Sequence, residues 1–293
     1  MRGRLDTAPL APRMSTHSDC LSTADFNRLR ALVYQEAGIH LSAEKKTMLE
    51  IRIKRRLQDL QIASYSEYCA YVFGEYGGQG ELVHLIDAVT TNKTDFFREA
   101  GHFDYLISKA LPELAARHGT ARTSLVWSAG CSTGEEPYTL AMLLAEYAQG
   151  RPGFRFQVLA TDISTAVLAR ARRGIFRSEQ VNPVPRELHQ RYFMRSRDPG
   201  SDLIRVVPEL RAVIDFRRLN LMDPDFGLAE PQEIIFCRNV IIYFDRPTQI
   251  RILQKLIRQL VPGGYFFAGH SESLQGMDLP LAPAAPSVYR KVS

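Results

Sequence analysis

Leu125-Val-Trp-Ser-Ala-Gly-Cys-Ser-Thr-Gly-Glu-Glu-Pro-Tyr138 is the stretch on which the fold turns. Leu125, Val126 and Trp127 read as the end of a buried strand. Residues 128–134 are small and carry two glycines, which predicts a tight loop. Pro137 suits the first turn of a helix, where a missing N–H costs nothing. From Thr139 to Tyr147 apolar residues recur with helical spacing. A strand, a close-approach loop and a helix N-terminus open a nucleotide-type site in an open α/β sheet.

The chemistry of the loop narrows the ligand. A pyrophosphate binder needs G-x-G-x-x-G and a helix N-terminus that is open to negative charge. Here Ser132 stands between Gly130 and Gly134, and Glu135 and Glu136 fill the first helical turn. Those carboxylates suit the helix dipole but repel phosphate. A cationic ligand with a ribose fits better, and S-adenosyl-L-methionine carries a sulfonium and an ammonium. An ordinary βα turn with acidic residues at the helix start is the plainer reading of the same residues.

Composition sets the frame around this stretch. The chain has 293 residues, 45% hydrophobic and 24% charged, with a net charge of +5. That is a soluble globular profile with room for one large domain or two smaller ones. Cys20, Cys69, Cys131 and Cys237 form no C-x-x-C pair, so neither a metal site nor a disulfide framework is predicted. Reduced thiols in a cytoplasm are expected. No apolar run approaches the roughly 20 residues of a membrane span, so no direct membrane insertion is predicted. Residues 1–21 read as a disordered tail without a signal-peptide core, with an alternative start near Met14.

Residues 22–89 read as a small all-α domain. Ser22 or Thr23 caps a helix through Ala37, which Gly38 ends. A second helix opens near Ser42 and runs to about Leu60, with Leu49, Ile53, Leu57 and Leu60 on one face. Arg52 and Arg55 fall opposite that face, and Arg56 falls on a flank. This basic run is a solvated face or a docking face for an acidic partner. Two shorter helices follow, over 65–73 and 81–89.

Residues 90–118 read as a linker, Thr90-Thr-Asn-Lys-Thr-Asp-Phe-Phe-Arg-Glu99, and a helix over 96–118 capped by Thr94 or Asp95. Arg98 is a candidate fixed cation beside the ligand loop. Residues 119–293 hold the α/β core. Phe154 to Thr161 reads as its second strand. Asp162 at its carboxyl end suits both ribose hydroxyls, or else competes with Ser164 and Thr165 to cap the next helix. Residues 174–193 read as irregular. A hairpin over 192–195 and 203–207, with a strand at 213–216, gives a β-insert at about 190–216. Glu233 to Cys237 is a central strand, buried on both faces. Pro247 starts a helix to Leu260, ended by Pro262-Gly-Gly264. Strands at 265–269 and 287–292 complete a doubly wound sheet with an antiparallel edge.

Five motifs occur in order: Thr90 to Arg98, Ser128 to Tyr138, Ala160-Thr-Asp-Ile163, Cys237-Arg-Asn-Val-Ile-Ile-Tyr-Phe244 and Phe267-Ala-Gly-His-Ser-Glu272. Together they resemble the CheR-type chemotaxis receptor methyltransferases over nearly the whole chain from Ser22. The resemblance implies a class I S-adenosyl-L-methionine-dependent methyltransferase core, Rossmann-like, with an N-terminal all-α domain and a small β-subdomain. It implies a protein-glutamate O-methyltransferase that forms glutamate methyl esters in sensory adaptation. Cofactor contacts carry over to Asn92, Thr94 and Arg98, to Glu135 or Glu136, and to Asp162, Asn220, Leu221, Arg238 and Asn239. Tyr243 carries over to a place near the methyl-transfer point, and Arg98 and Tyr243 are the candidate catalytic residues that hold the acceptor carboxylate. His270 receives no role.

The implied partner is a methyl-accepting chemotaxis receptor, through its cytoplasmic helical region. Arg52, Arg55 and Arg56 are the candidate receptor-binding residues. The β-insert resembles the family's docking element for a receptor's C-terminal tail. Its turn, Ser196-Arg-Asp-Pro-Gly-Ser-Asp202, is poorer in glycine than in tail-binding members, so tail docking stays open. The acceptor, a glutamate carboxylate with a reference pKa of about 4.3, needs no general base near neutral pH. A cytoplasmic monomer is expected. One alternative is a nucleic-acid methyltransferase, but the [DN]-P-P-[FYW] motif is absent after the fourth strand. The other is a non-catalytic module that binds S-adenosyl-L-methionine as a signal.

Overall fold

The computed structural model describes residues 20–74, 78–119 and 123–292. Residues 1–19, the bulk of the predicted tail, lie outside the described residues. Helix α1 (Thr23–Ala37) is capped by Ser22, whose hydroxyl accepts from the Asp25 amide, and it stops at Gly38. Gly38 sits at φ +69°, a left-handed cap that glycine adopts without steric cost. A 3-10 turn leads into α2 (Lys46–Leu60), and α3 (Tyr65–Phe73) and α4 (Gly78–Val89) follow. Leu49, Ile53 and Leu57 of α2 are buried against Phe26, Leu29, Tyr68 and Leu85, as the apolar spacing predicts.

The predicted helix over 96–118 begins later. Phe97 and Glu99 have φ of +55° and +57°, which no right-handed helix accommodates. Residues 96–100 form a turn instead, and Thr94 and Asp95 cap no helix there. Phe96 explains the departure: its ring packs edge-on against Phe176 and Phe193 at 4.9 and 5.7 Å. Helix α5 (Gly101–Tyr105) continues through a π-turn, Leu106–Ala110, into α6 (Leu111–His118).

The α/β core runs β1 (Thr123–Ala129), α7 (Glu135–Ala148), β2 (Arg155–Asp162) and α8 (Thr165–Arg173). Then come β3 (Ile175–Arg177), α9 (Arg186–Tyr192), β4 (Phe193–Arg195), β5 (Leu203–Val206), α10 (Pro208–Ala212) and β6 (Ile214–Arg218). It closes with β7 (Gln232–Cys237), α11 (Arg246–Arg258), β8 (Leu260–Ala268), β9 (Leu281–Ala285) and β10 (Val288–Lys291). The main sheet has the order β6-β2-β1-β7-β8-β10-β9. Strands β6, β2, β1, β7 and β8 are parallel, and β10 runs antiparallel to both its neighbours. This is the doubly wound sheet with an antiparallel edge read from the sequence, and it is the class I methyltransferase architecture that the resemblance implies.

Three local readings are corrected. The insert is a three-stranded antiparallel sheet, β3-β5-β4, and its first strand comes from the stretch read as irregular. Ile214–Arg218 is no part of that sheet; it pairs in parallel with β2 in the core. Pro262-Gly-Gly264 does not end α11 but lies inside β8. A Cβ on Gly264 would sit 2.7 Å from the Glu233 carbonyl, so glycine there allows β8 to approach β7 closely. Among the described residues no helix is long and apolar enough to cross a membrane.

Candidate active site

Strand β1 lies between β2 and β7, where the order of connection reverses. Ligands of open α/β sheets bind at that switch point, beyond the carboxyl ends of the strands. A cleft of about 970 Å³, including its open mouth, lies there. Gly130, Ser132 and Glu136 after β1, Asp162 of β2, and Asn220 and Leu221 after β6 line it. Arg238, Asn239 and Tyr243 after β7 add a further wall, and Asn92, Thr94 and Arg98 come in from the linker. Ala37 and Ile39 of the all-α domain also line it, which the sequence did not announce.

The loop after β1 explains its own composition. The amides of Gly130 and Cys131 both donate to the Thr161 carbonyl, at 2.8 and 2.9 Å. The Ser132 amide donates to Asp162 Oδ2 at 2.9 Å. These N–H groups are therefore committed inside the protein and form no phosphate cradle. Gly130 has φ +87°, and a Cβ there would meet Val240 Cγ2 at 2.3 Å. The Ser132 hydroxyl donates to the Asn92 carbonyl at 2.9 Å, which fastens the linker to the loop.

Asp162 is buried, and its other oxygen accepts from the Ser164 amide at 2.9 Å. Each carboxylate oxygen thus takes one backbone N–H and keeps a further acceptor position, which suits a ribose diol. Burial pushes the Asp162 carboxyl above its ordinary pKa, and the Ser164 and Ser132 amides pull it back. Ser164 caps α8, so the competition for that cap does not involve the Asp162 carboxylate.

The two glutamates part company. Glu135 accepts from the Thr133 hydroxyl at 2.6 Å and does not line the cleft. Burial raises its pKa. Glu136 lines the cleft, accepts from Ser128 Oγ at 2.6 Å and pairs with Arg238 Nε at 2.7 Å. Arg238 Nη1 also donates to the Arg98 carbonyl at 2.7 Å and contacts Glu99 and His102 Nδ1. This one side chain therefore holds the linker and α7 together. Burial, and then Arg238, push the His102 imidazole down to about 4, so it stays neutral and accepts from Arg238. Glu99, His102 and His270 bring three donor atoms within 4.8 Å of one another, but Arg238 already supplies the cation there.

Arg98 donates one Nη1 bond, to the Lys93 carbonyl at 3.1 Å, and a guanidinium has further donors for a carboxylate. Asn220 turns its amide to the Glu36 carbonyl of α1 at 2.6 Å, which ties the helical domain over the cleft. Arg52, Arg55 and Arg56 do not line the cleft, and two of them do not face solvent freely. Arg52 donates to the carbonyls of Ala88, Val89 and Thr90 at 3.0, 2.9 and 2.9 Å. Arg56 holds buried Glu81 with two bonds of 2.9 and 2.7 Å. Only Arg55 of the three is exposed, beside Lys54. The wheel separated these arginines from the core of α2 but carried no information about α4 lying alongside.

The donor set fits S-adenosyl-L-methionine: acceptor positions for a diol, an acidic residue at the loop, an apolar wall and no phosphate cradle. Residues 92–285 match the family described as "CheR methyltransferase, SAM binding domain", and residues 24–90 match "CheR methyltransferase, all-alpha domain". The chain is 43% identical over 270 residues to "Chemotaxis protein methyltransferase" of Escherichia coli K12, covering 92% of this chain and 91% of that one. It is 42% identical over 249 residues to "Chemotaxis protein methyltransferase 2" of Pseudomonas aeruginosa, covering 85% and 86%. Against "Chemotaxis protein methyltransferase" of Borreliella burgdorferi it is 38% identical over 270 residues, covering 91% and 94%. An all-α domain clasped over a class I methyltransferase cleft, matched along nearly its whole length, places this chain in the CheR methyltransferase family.

Proposed function

We propose that the chain transfers the methyl group of S-adenosyl-L-methionine to glutamate carboxylates on the cytoplasmic helical region of chemotaxis receptors. The observation that carries this reading is the cleft itself. It gathers Arg98, Tyr243, Asp162 and Glu136 at one switch point in a chain whose relatives are chemotaxis methyltransferases. When bound, the cofactor supplies a methyl group on a sulfonium, already activated for displacement.

Asp162 would hold the ribose and Glu136 would face the cationic end, while Asn92, Thr94, Asn220, Leu221 and Asn239 shape the walls. Arg98 and Tyr243 would orient the acceptor carboxylate. Alignment of this kind supplies roughly 7–11 kcal/mol in well-ordered cases, and exclusion of water from the carboxylate adds to it. The acceptor is ionised near neutral pH, so no base is required. The tie between Arg98 Nη1 and Lys93 supports orientation without a full two-pronged salt bridge, which would blunt the nucleophile.

Receptor contact is assigned to exposed Arg55 and to the outer face of the insert. That face carries exposed Ile175, Met194 and Leu203 between Arg177 and Arg205, a mixed surface suited to protein contact. The experiment is incubation with labelled S-adenosyl-L-methionine and receptor cytoplasmic fragments, followed by mild base. Release of labelled methanol from the receptor is the expected outcome. Label on nucleic acid would support the alternative substrate, and tight cofactor binding without any transfer would indicate a signalling module.

A further inference from the structure

The fifth motif supports the resemblance but receives no role from the sequence, and the structure gives it one. Glu272 follows β8, is buried, and does not line the cleft. Its Oε1 accepts from the amides of Val240 and Ile241, both at 2.8 Å. Its Oε2 accepts from the amides of Asn239 and Gly269, at 2.9 and 2.6 Å. A single carboxylate thus gathers four backbone N–H groups. Three of them belong to the loop between Arg238 and Tyr243.

That loop needs such an anchor. Asn239 has φ +58°, a left-handed conformation that a non-glycine residue holds only when its surroundings impose it. Gly269 presses on the same point. A Cβ there would lie 2.8 Å from the Asn239 amide and 2.9 Å from Glu272 Oε2. The same turn reaches the other side of the cleft, where the His270 amide donates to Glu99 Oε1 at 3.2 Å. Glu99 is the neighbour of Arg98 and also sits at φ +57°.

We infer that the turn 269–272 is the positioning element for methyl transfer. Through Glu272 it sets Asn239 and Tyr243, and through the His270 amide it sets Glu99 and hence Arg98. Glu272 acts through these residues and touches no substrate. The inference rests on the methyl-transfer reading above, and wild-type activity on a receptor fragment tests that reading separately.

The test is Glu272→Gln. The amide keeps the size of the side chain but replaces an acceptor oxygen with a donor, so at least one loop N–H loses its partner. At a temperature far below the variant's unfolding midpoint and with saturating cofactor, kcat should fall about tenfold or more, because small misplacements are costly in aligned reactions. Gly269→Ala should produce the same kcat loss by steric pressure with every charge kept. A wild-type kcat in either folded variant overturns the proposal and leaves the turn a plain brace, whatever the change in midpoint. A further measurement uses the wild-type chain alone. The amide protons of Asn239, Val240, Ile241 and Gly269 should resonate downfield and shift together when S-adenosylhomocysteine is added. If they do not respond as a group, the turn does not report on the cleft and the proposal falls.

Discussion

Glu135 and Glu136 are adjacent, equally acidic and both in the first turn of α7, and no sequence rule separates them. The fold does, because successive helical residues point about 100° apart. Glu136 meets Arg238 and the cleft, and Glu135 meets Thr133. Glu136→Gln should therefore weaken S-adenosylhomocysteine binding about tenfold, or roughly 1.4 kcal/mol, because it removes the charge opposite buried Arg238. Glu135→Gln should stay within about twofold, since Thr133 accommodates an amide. Calorimetric titration of both variants checks this, and equal losses would place Glu135 at the ligand as well. That Asp162 lines the cleft was legible from its place at the end of a strand. Ser132 was not, because its contribution is an amide and a hydroxyl turned to residues 30 and 40 positions away.

At the scale of elements, α2 shows how a correct helix carries an incomplete surface. Its apolar spacing predicted the buried face. The basic run beside it divides into Arg52 and Arg56, which hold α4 and its exit, and Arg55, which is exposed. Arg52→Ala strands three carbonyls that lead directly into the linker of the cleft. Charge-assisted bonds contribute about 1.5–3 kcal/mol each when buried, less here because Arg52 is half-exposed. The unfolding midpoint should drop by several degrees and cofactor affinity should weaken. Arg55→Ala should leave both unchanged and slow receptor methylation at low salt. That defect should shrink as salt screens the attraction over about 8 Å at physiological strength. Methylation rates across ionic strength, with thermal scans of both variants, decide the matter. A stability loss in Arg55→Ala would make it a third brace. The turn at 96–100 was illegible for a related reason: Phe96 leaves the helical path to reach Phe176 and Phe193, both distant in sequence.

Across the whole molecule, the helical domain and the α/β core close on each other through polar contacts. Tyr34 donates to Asp245 at 2.7 Å, the His40 amide to the Tyr243 carbonyl at 2.9 Å, and Asp87 accepts from the Ala166 amide at the start of α8. Beneath them His102, faced by Arg238, Glu99 and His270, stays neutral down to about pH 4. An unfolded histidine takes its proton near pH 6.5. Between those values the unfolded chain binds more protons, so stability falls as pH drops from about 6.5 to about 4. The loss should reach about 2 kcal/mol between pH 7 and 5, on the linkage relation. Denaturant unfolding at both pH values should show a shallower slope for His102→Gln than for wild type, and identical slopes would exclude this histidine as the source. The sequence by itself determined the strand-loop-helix start, the alternation of strands and helices, the all-α domain and the motifs that name the family. These follow from local periodicity, turn chemistry and residue order. Only the tertiary structure decided which glutamate faces the cleft, which arginines reach solvent, where β3 and β6 pair and what Glu272 holds. Each of those depends on a partner far away in the chain, whose position only the packed fold sets.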